Sequence, residues 1–200
     1  MTLESLTAFT VTADYGRAHT TYNIHVDAER APVARMHKDA VYSSLSEYRV
    51  YTGPALDQLV GYATNFGAKT IDRTALGEVS THSRTLRDSG WTVVQNDLGE
   101  LTGESVGAST RLRRDSRLGN LFAVPASEFA FTTRLHFRSS ASTGFELTRL
   151  RGIRARYAVH IHDVRVNKLL VLACVSHYAE RHAQDIRLPL AEMTSNPFKR

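Results

Sequence analysis

Two hundred residues, 42% of them hydrophobic and only five of them proline, suffice for one domain with a core of its own. Twenty-five Lys and Arg against 20 Asp and Glu give a formal charge of +5, which favours anionic partners without choosing among phospholipid, nucleotide and nucleic acid. Cys174 is the single cysteine, so an internal disulfide framework is excluded and a reducing, cytoplasmic setting is expected.

The opening "MTLESLTAFT" carries Glu4 and has no basic segment ahead of a long apolar one, so no secretory signal is expected. "TYNIHVDAERAPVARM" alternates at Tyr22, Ile24 and Val26, turns at Asp27 to Arg30 and resumes at Val33, which predicts a hairpin. "YRVYTGPALDQLVGYAT" repeats the plan, with Tyr48 and Val50, a Thr-Gly-Pro corner, then Leu59 to Tyr62. In "KTIDRTALGEVSTHS" a strand is expected at Thr70 to Asp72, a loop at Leu76-Gly77 and a second strand around Val79. "WTVVQNDLGELTGES" gives a fourth pair. Between Gly103 and Gly119 the chain turns polar and basic, which predicts a long loop or an exposed edge. "FAFTTRLHFRSSASTGFELTRL" supplies two more strands, and "RARYAVHIHD" another through Tyr157, Val159 and Ile161. Many short strands with Gly, Asn, Asp and Pro corners and no amphipathic helices between them predict an antiparallel meander, either a sandwich or a closed barrel.

One segment breaks this pattern. "DVRVNKLLVLACVSHYAERHA" opens on an Asp suited to capping and runs without Gly or Pro to Arg181 and His182, so a helix is expected from about Asp163 to His182. Its apolar run Leu169 to Val175 covers seven successive positions, which at about 100° per residue leaves no face for water. A bilayer span needs about 20 such residues, so the sheath must be protein rather than lipid. Leu169, Leu170, Leu172, Ala173, Cys174 and Val175 are then the core of a helix wrapped by strands. A fully buried strand is the competing reading, because a run of this length cannot be assigned by period alone.

A meander of Gly- and Asp-cornered strands closing on "YAVHIHDVRVNKLLVLACVSHYAE" resembles the tubby C-terminal-like superfamily, in particular phospholipid scramblase-like and LURP-one-related proteins. The resemblance covers roughly residues 8–185, in the order of elements as much as in residues. "TYNIHVDAERAPVARM" is similar to the family's first hairpin and "WTVVQNDLGELTGES" to a central one. The resemblance implies a closed antiparallel barrel of about twelve strands enclosing a hydrophobic C-terminal helix, entered through a strand with an Asp at its end, as Tyr157 to Asp163 would be here. Tubby domains bind phosphoinositides, scramblases are associated with calcium-dependent lipid movement, and LURP-one-related proteins mostly lack a defined activity. The cysteine-rich stretch of animal scramblases has no counterpart, and the acidic calcium pattern is reduced to Asp163, with His160 and His162 nearby. Imidazole does not serve calcium, so neither calcium binding nor lipid translocation is carried over.

The chain holds no Gly-x-Ser-x-Gly elbow, P-loop, Gly-x-Gly-x-x-Gly or His-Glu-x-x-His, and Cys174 lies in an apolar run, so no catalytic residue and no cofactor is expected. His160 and His162, at i and i+2, share one face of a strand but have no third metal ligand in the local sequence; a structural or surface role is expected. His177 and His182 fall on different helical faces. Arg111, Arg113, Arg114 and Arg117, with Arg149, Arg151, Arg154 and Arg156, form two basic clusters that could grip phosphate. Stacking aromatics are sparse beside them, so anionic lipid head groups fit better than nucleic acid. The expectation is a single-domain, non-enzymatic binding barrel over 1–200, cytoplasmic and capable of peripheral membrane attachment, with a loose tail at 191–200. A protein-interaction module without a lipid ligand and an enzyme with a site at the barrel mouth are the alternatives.

Overall fold

The computed structural model describes residues 2–26, 31–40, 46–85, 88–106, 134–150 and 155–194, with the side chains of 83–85, 88–89 and 182–194 outside that description. After a short 3-10 turn at Leu3–Ser5, the chain forms twelve strands: β1 (Ala8–Tyr15), β2 (Thr20–His25), β3 (Ala34–Lys38), β4 (Tyr48–Thr52), β5 (Gln58–Thr64), β6 (Gly67–Lys69), β7 (Ala75–Thr85), β8 (Asp88–Gln95), β9 (Gly99–Ser105), β10 (Arg134–Arg138), β11 (Phe145–Arg149) and β12 (Arg156–Ile161). Each pairs antiparallel with the next, and β12 returns to pair with β1, closing the barrel. Closure removes both sheet edges, so a ladder this long presents no open strand for edge-to-edge association.

Period-two alternation places one face of each strand inside. Tyr22 and Ile24 on β2, Tyr48 and Val50 on β4, Leu135 and Phe137 on β10, and Tyr157 and Val159 on β12 are all buried. Phe137 and Phe145, paired across β10 and β11, stack with ring centroids 4.5 Å apart. β1 was not anticipated, although Phe9 and Val11 alternate inward like the rest.

The third hairpin differs from its sequence reading. Thr70 to Thr74 form the turn, tied by Thr74 Oγ1 donating to Asp72 Oδ2 (3.1 Å) and the Thr74 amide donating to Thr70 Oγ1 (3.1 Å). Leu76-Gly77 lies within β7, where a register shift at Ala68/Lys69 marks a bulge. A Cβ on Gly77 would stand 2.0 Å from the Val94 carbonyl oxygen and 3.0 Å from a Leu170 methyl, so this glycine permits close approach of strand and helix and marks no turn.

The helix α1 (Lys168–Thr194) runs through the barrel. Leu169 is 5% exposed, and Leu170, Val171, Leu172, Ala173, Cys174, Val175 and Ser176 are each 0% exposed, so every face of two successive turns is sheathed by strands. The extended alternative for this run is thereby excluded. Each fully buried Leu or Val contributes about 1.5–3 kcal/mol. Burial also pushes the Cys174 thiol far above its ordinary pKa, which keeps it an inert packing group.

Both ends of the expected helix need correction. Asp163 does not cap it, because its carboxylate is taken by Arg165 and Ser142. Asn167 caps instead, its Oδ1 accepting from the amides of Leu169 (2.9 Å) and Leu170 (3.4 Å). The C-terminal end lies at Thr194 rather than His182, so part of the expected tail is helical. At the far mouth, Glu180 Oε1 accepts from Lys38 Nζ (2.6 Å) and Tyr48 Oη (3.0 Å), and Glu180 Oε2 from the Asn65 amide. Among the described residues, no helix is long and apolar enough to cross a membrane.

Candidate functional site

The outward parity of β10, β11 and β12 carries the polar chemistry. Register sets His136 directly opposite Glu146, and Glu146 directly opposite His160, with all three side chains on the outer face. His162 follows β12 by one residue and keeps the same outward parity. Its amide donates to the Gly144 carbonyl (2.9 Å), as does that of Asp163 (3.0 Å). Gly144 adopts φ +63°, and a Cβ there would stand 1.8 Å from the Phe137 carbonyl oxygen. Only glycine lets the β10–β11 loop fold down far enough to hold the segment leaving β12.

The result is a groove of about 890 Å³ between that Ser-rich loop and the β12–α1 connection, lined among others by His136, Arg138, Glu146, His162, Asp163 and Arg165. Glu146 is 9% exposed. Its Oε2 accepts from Arg134 Nε (3.0 Å) and Nη2 (2.5 Å), while its Oε1 lies 4.0 Å from His136 Nδ1 and 3.7 Å from His162 Nε2. Burial would raise the Glu146 pKa, but the Arg134 hydrogen bond and charge, with the adjacent imidazoles, outweigh it and hold the carboxyl below its ordinary value. Thr143 supplies a backbone carbonyl 3.2 Å from His136 Nε2. His136, Glu146 and His162 are the one cluster of three possible metal ligands among the described residues.

The second carboxylate is built into the wall. Asp163 accepts from Arg165 Nε (3.0 Å), Arg165 Nη2 (2.7 Å), the Arg165 amide (3.0 Å) and Ser142 Oγ (2.6 Å). The Arg165 and Ser142 hydrogen bonds, against the opposing effect of burial, hold its carboxyl well below the ordinary range. Arg165 Nη2 also donates to the Ala141 carbonyl (2.9 Å), tying the groove's two sides together.

Of the arginines singled out in the sequence, Arg111, Arg113, Arg114, Arg117, Arg151 and Arg154 lie outside the described residues. Arg149 carries the inward parity of Phe145 and Leu147, opposite Tyr157, whereas Arg156 carries outward parity and is exposed; these two do not share a face. Of the histidine pair, His162 joins the cluster and His160 does not. His136 and Glu146 were missed because their relation to His162 is set by strand register, across 26 and 16 residues of chain. The signal available in the sequence was the outward His of "RLHFR" and the outward Glu of "FELTR" flanking one short hairpin loop.

His177, on α1, lies inside the barrel end, its ring against Trp91 at 5.2 Å and its Nδ1 against the Asn65 carbonyl. Burial is the main cause of its lowered pKa. No family model, no curated protein and no solved structure matches the chain.

Proposed function

We propose that the protein is a non-enzymatic binding barrel of the scramblase-like, LURP-one-related kind, and that its groove beside β10, β11 and β12 receives an anionic, phosphorylated ligand such as a lipid head group. One observation carries this reading: the negative charge in the groove is matched from within, Glu146 by Arg134 at its Oε2 and Asp163 by Arg165 and Ser142 at both oxygens. What remains turned to a ligand is the His162 imidazole, the Ser139 and Ser140 hydroxyls and those N–H groups of Arg138 not given to Glu104, whose carboxylate its Nη2 meets at 2.8 Å. Those groups donate hydrogen bonds to oxyanions. The net charge of +5 draws anionic surfaces toward the chain as a whole.

Sedimentation with neutral phosphatidylcholine vesicles and with vesicles containing phosphatidylserine or a phosphoinositide tests the proposal. The expected result is recovery with anionic vesicles alone, reduced several-fold by Arg138→Ala and reversed by salt. Equal recovery on neutral and anionic vesicles would overturn it, and a protein-interaction role would then be the stronger reading.

A further inference from the structure

We propose that His136 Nδ1, His162 Nε2 and Glu146 Oε1 bind one divalent transition-metal ion, with zinc as the reference case, leaving at least one coordination position open to the groove.

The three atoms converge without hydrogen-bonding to one another. One possible ligand atom from each of the three residues lies within 4.8 Å of the others, and Glu146 Oε1 stands 4.0 Å from His136 Nδ1 and 3.7 Å from His162 Nε2, beyond hydrogen-bond range. Bonds of about 2.0–2.2 Å to a tetrahedral metal place ligand atoms roughly 3.3–3.6 Å apart, so the site closes on an ion by about 1 Å of side-chain rotation. Both rings have room for it, with 25% and 40% of their side-chain surface exposed.

The surroundings orient the donors. His136 Nε2 faces the Thr143 carbonyl at 3.2 Å, which fixes the proton on that nitrogen and turns the Nδ1 lone pair toward Glu146. Arg134 holds Glu146 Oε2, so Oε1 is presented as a single, oriented oxygen. Phe137 and Phe145, fully buried on the reverse of the same two strands, make the wall behind the ligands rigid. Two imidazoles and one carboxylate suit zinc and its first-row neighbours and not calcium or magnesium, which require more oxygen ligands. The Arg134 charge opposes the cation and keeps the affinity moderate.

Titration calorimetry of zinc into tag-free, full-length protein, with no phosphorylated ligand or vesicle present, tests this independently of the anion-binding reading. One zinc per chain is expected, with no heat from calcium. His162→Ala and His136→Ala should each weaken binding about tenfold or more, and His82→Ala, on β7, should leave it unchanged. Cobalt should give visible absorption that zinc displaces. Because Glu146 is buried, Glu146→Gln is interpreted only if its circular dichroism matches the parent; the exposed His162 variant keeps the test decisive if it does not. No binding by the parent protein, or binding unaltered by His162→Ala, would overturn the proposal.

Discussion

Glu180→Gln isolates a charge held at the barrel mouth. Lys38 is 1% exposed, packs over the Tyr48 ring at 4.4 Å and pairs with Glu180 at 2.6 Å. Glutamine keeps the carbonyl acceptor for Tyr48. Its amide can also donate to Asn65 Oδ1, a buried atom with no hydrogen-bond partner among the described residues, once the Asn65 amide turns over. What is lost is the carboxylate charge beside a buried ammonium. Breaking a fully buried pair costs about 3–5 kcal/mol, and since the Glu180 side chain is 18% exposed, water lowers the expectation to about 2–3 kcal/mol. For a domain of this size that corresponds to a fall in Tm of roughly 4–12 °C. Urea denaturation followed through Trp91, the single tryptophan, is a suitable assay, because its ring lies 5.4 Å from that of Tyr178 on the same helix. Lys38→Met with Glu180→Gln should recover most of the loss, as no ammonium is then left in the mouth. A single-variant cost below about 0.5 kcal/mol, or a double variant as unstable as the sum of the singles, would refute the reasoning.

Two further outcomes follow from the groove's framework. Gly144→Ala should cost more than about 3 kcal/mol, because its Cβ would meet the Phe137 carbonyl at 1.8 Å, whereas Gly99→Ala, at φ +84° with nothing within 4 Å, should cost only about 1–2 kcal/mol; paired thermal melts compare them. Asp163, whose folded carboxyl is held far below its unfolded value near 3.8, stabilises the fold above about pH 4 and loses that contribution as pH falls further, since the unfolded chain then takes up the proton first. The stability difference between the parent and Asp163→Asn should therefore be constant above about pH 5 and shrink toward pH 3 in urea titrations. A difference independent of pH would show that the Arg165 and Ser142 contacts carry no charge-linked stability.

The antiparallel meander was legible in the sequence because its strands are written in local alternation, while its closure into a barrel was implied only by the family resemblance. Tyr22 and Ile24, Tyr48 and Val50, and Tyr157 and Val159 announce their inward faces residue by residue. The seven-residue run from Leu169 announced complete burial, but whether it was a helix or a core strand was decided by the structure. Elsewhere local chemistry misled: Gly77 reads as a corner but permits helix contact within a strand, and Asp163 reads as a cap but binds Arg165.

What the linear sequence determined, then, is that most of the chain extends in short inward-alternating strands and that the run 169–175 must be enclosed by protein. Only the tertiary structure decided what stands beside what on the outer wall. His136, Glu146 and His162 meet because antiparallel register aligns three strands and Gly144 draws the loop onto them, and no periodicity along one strand encodes which residue its neighbour will present.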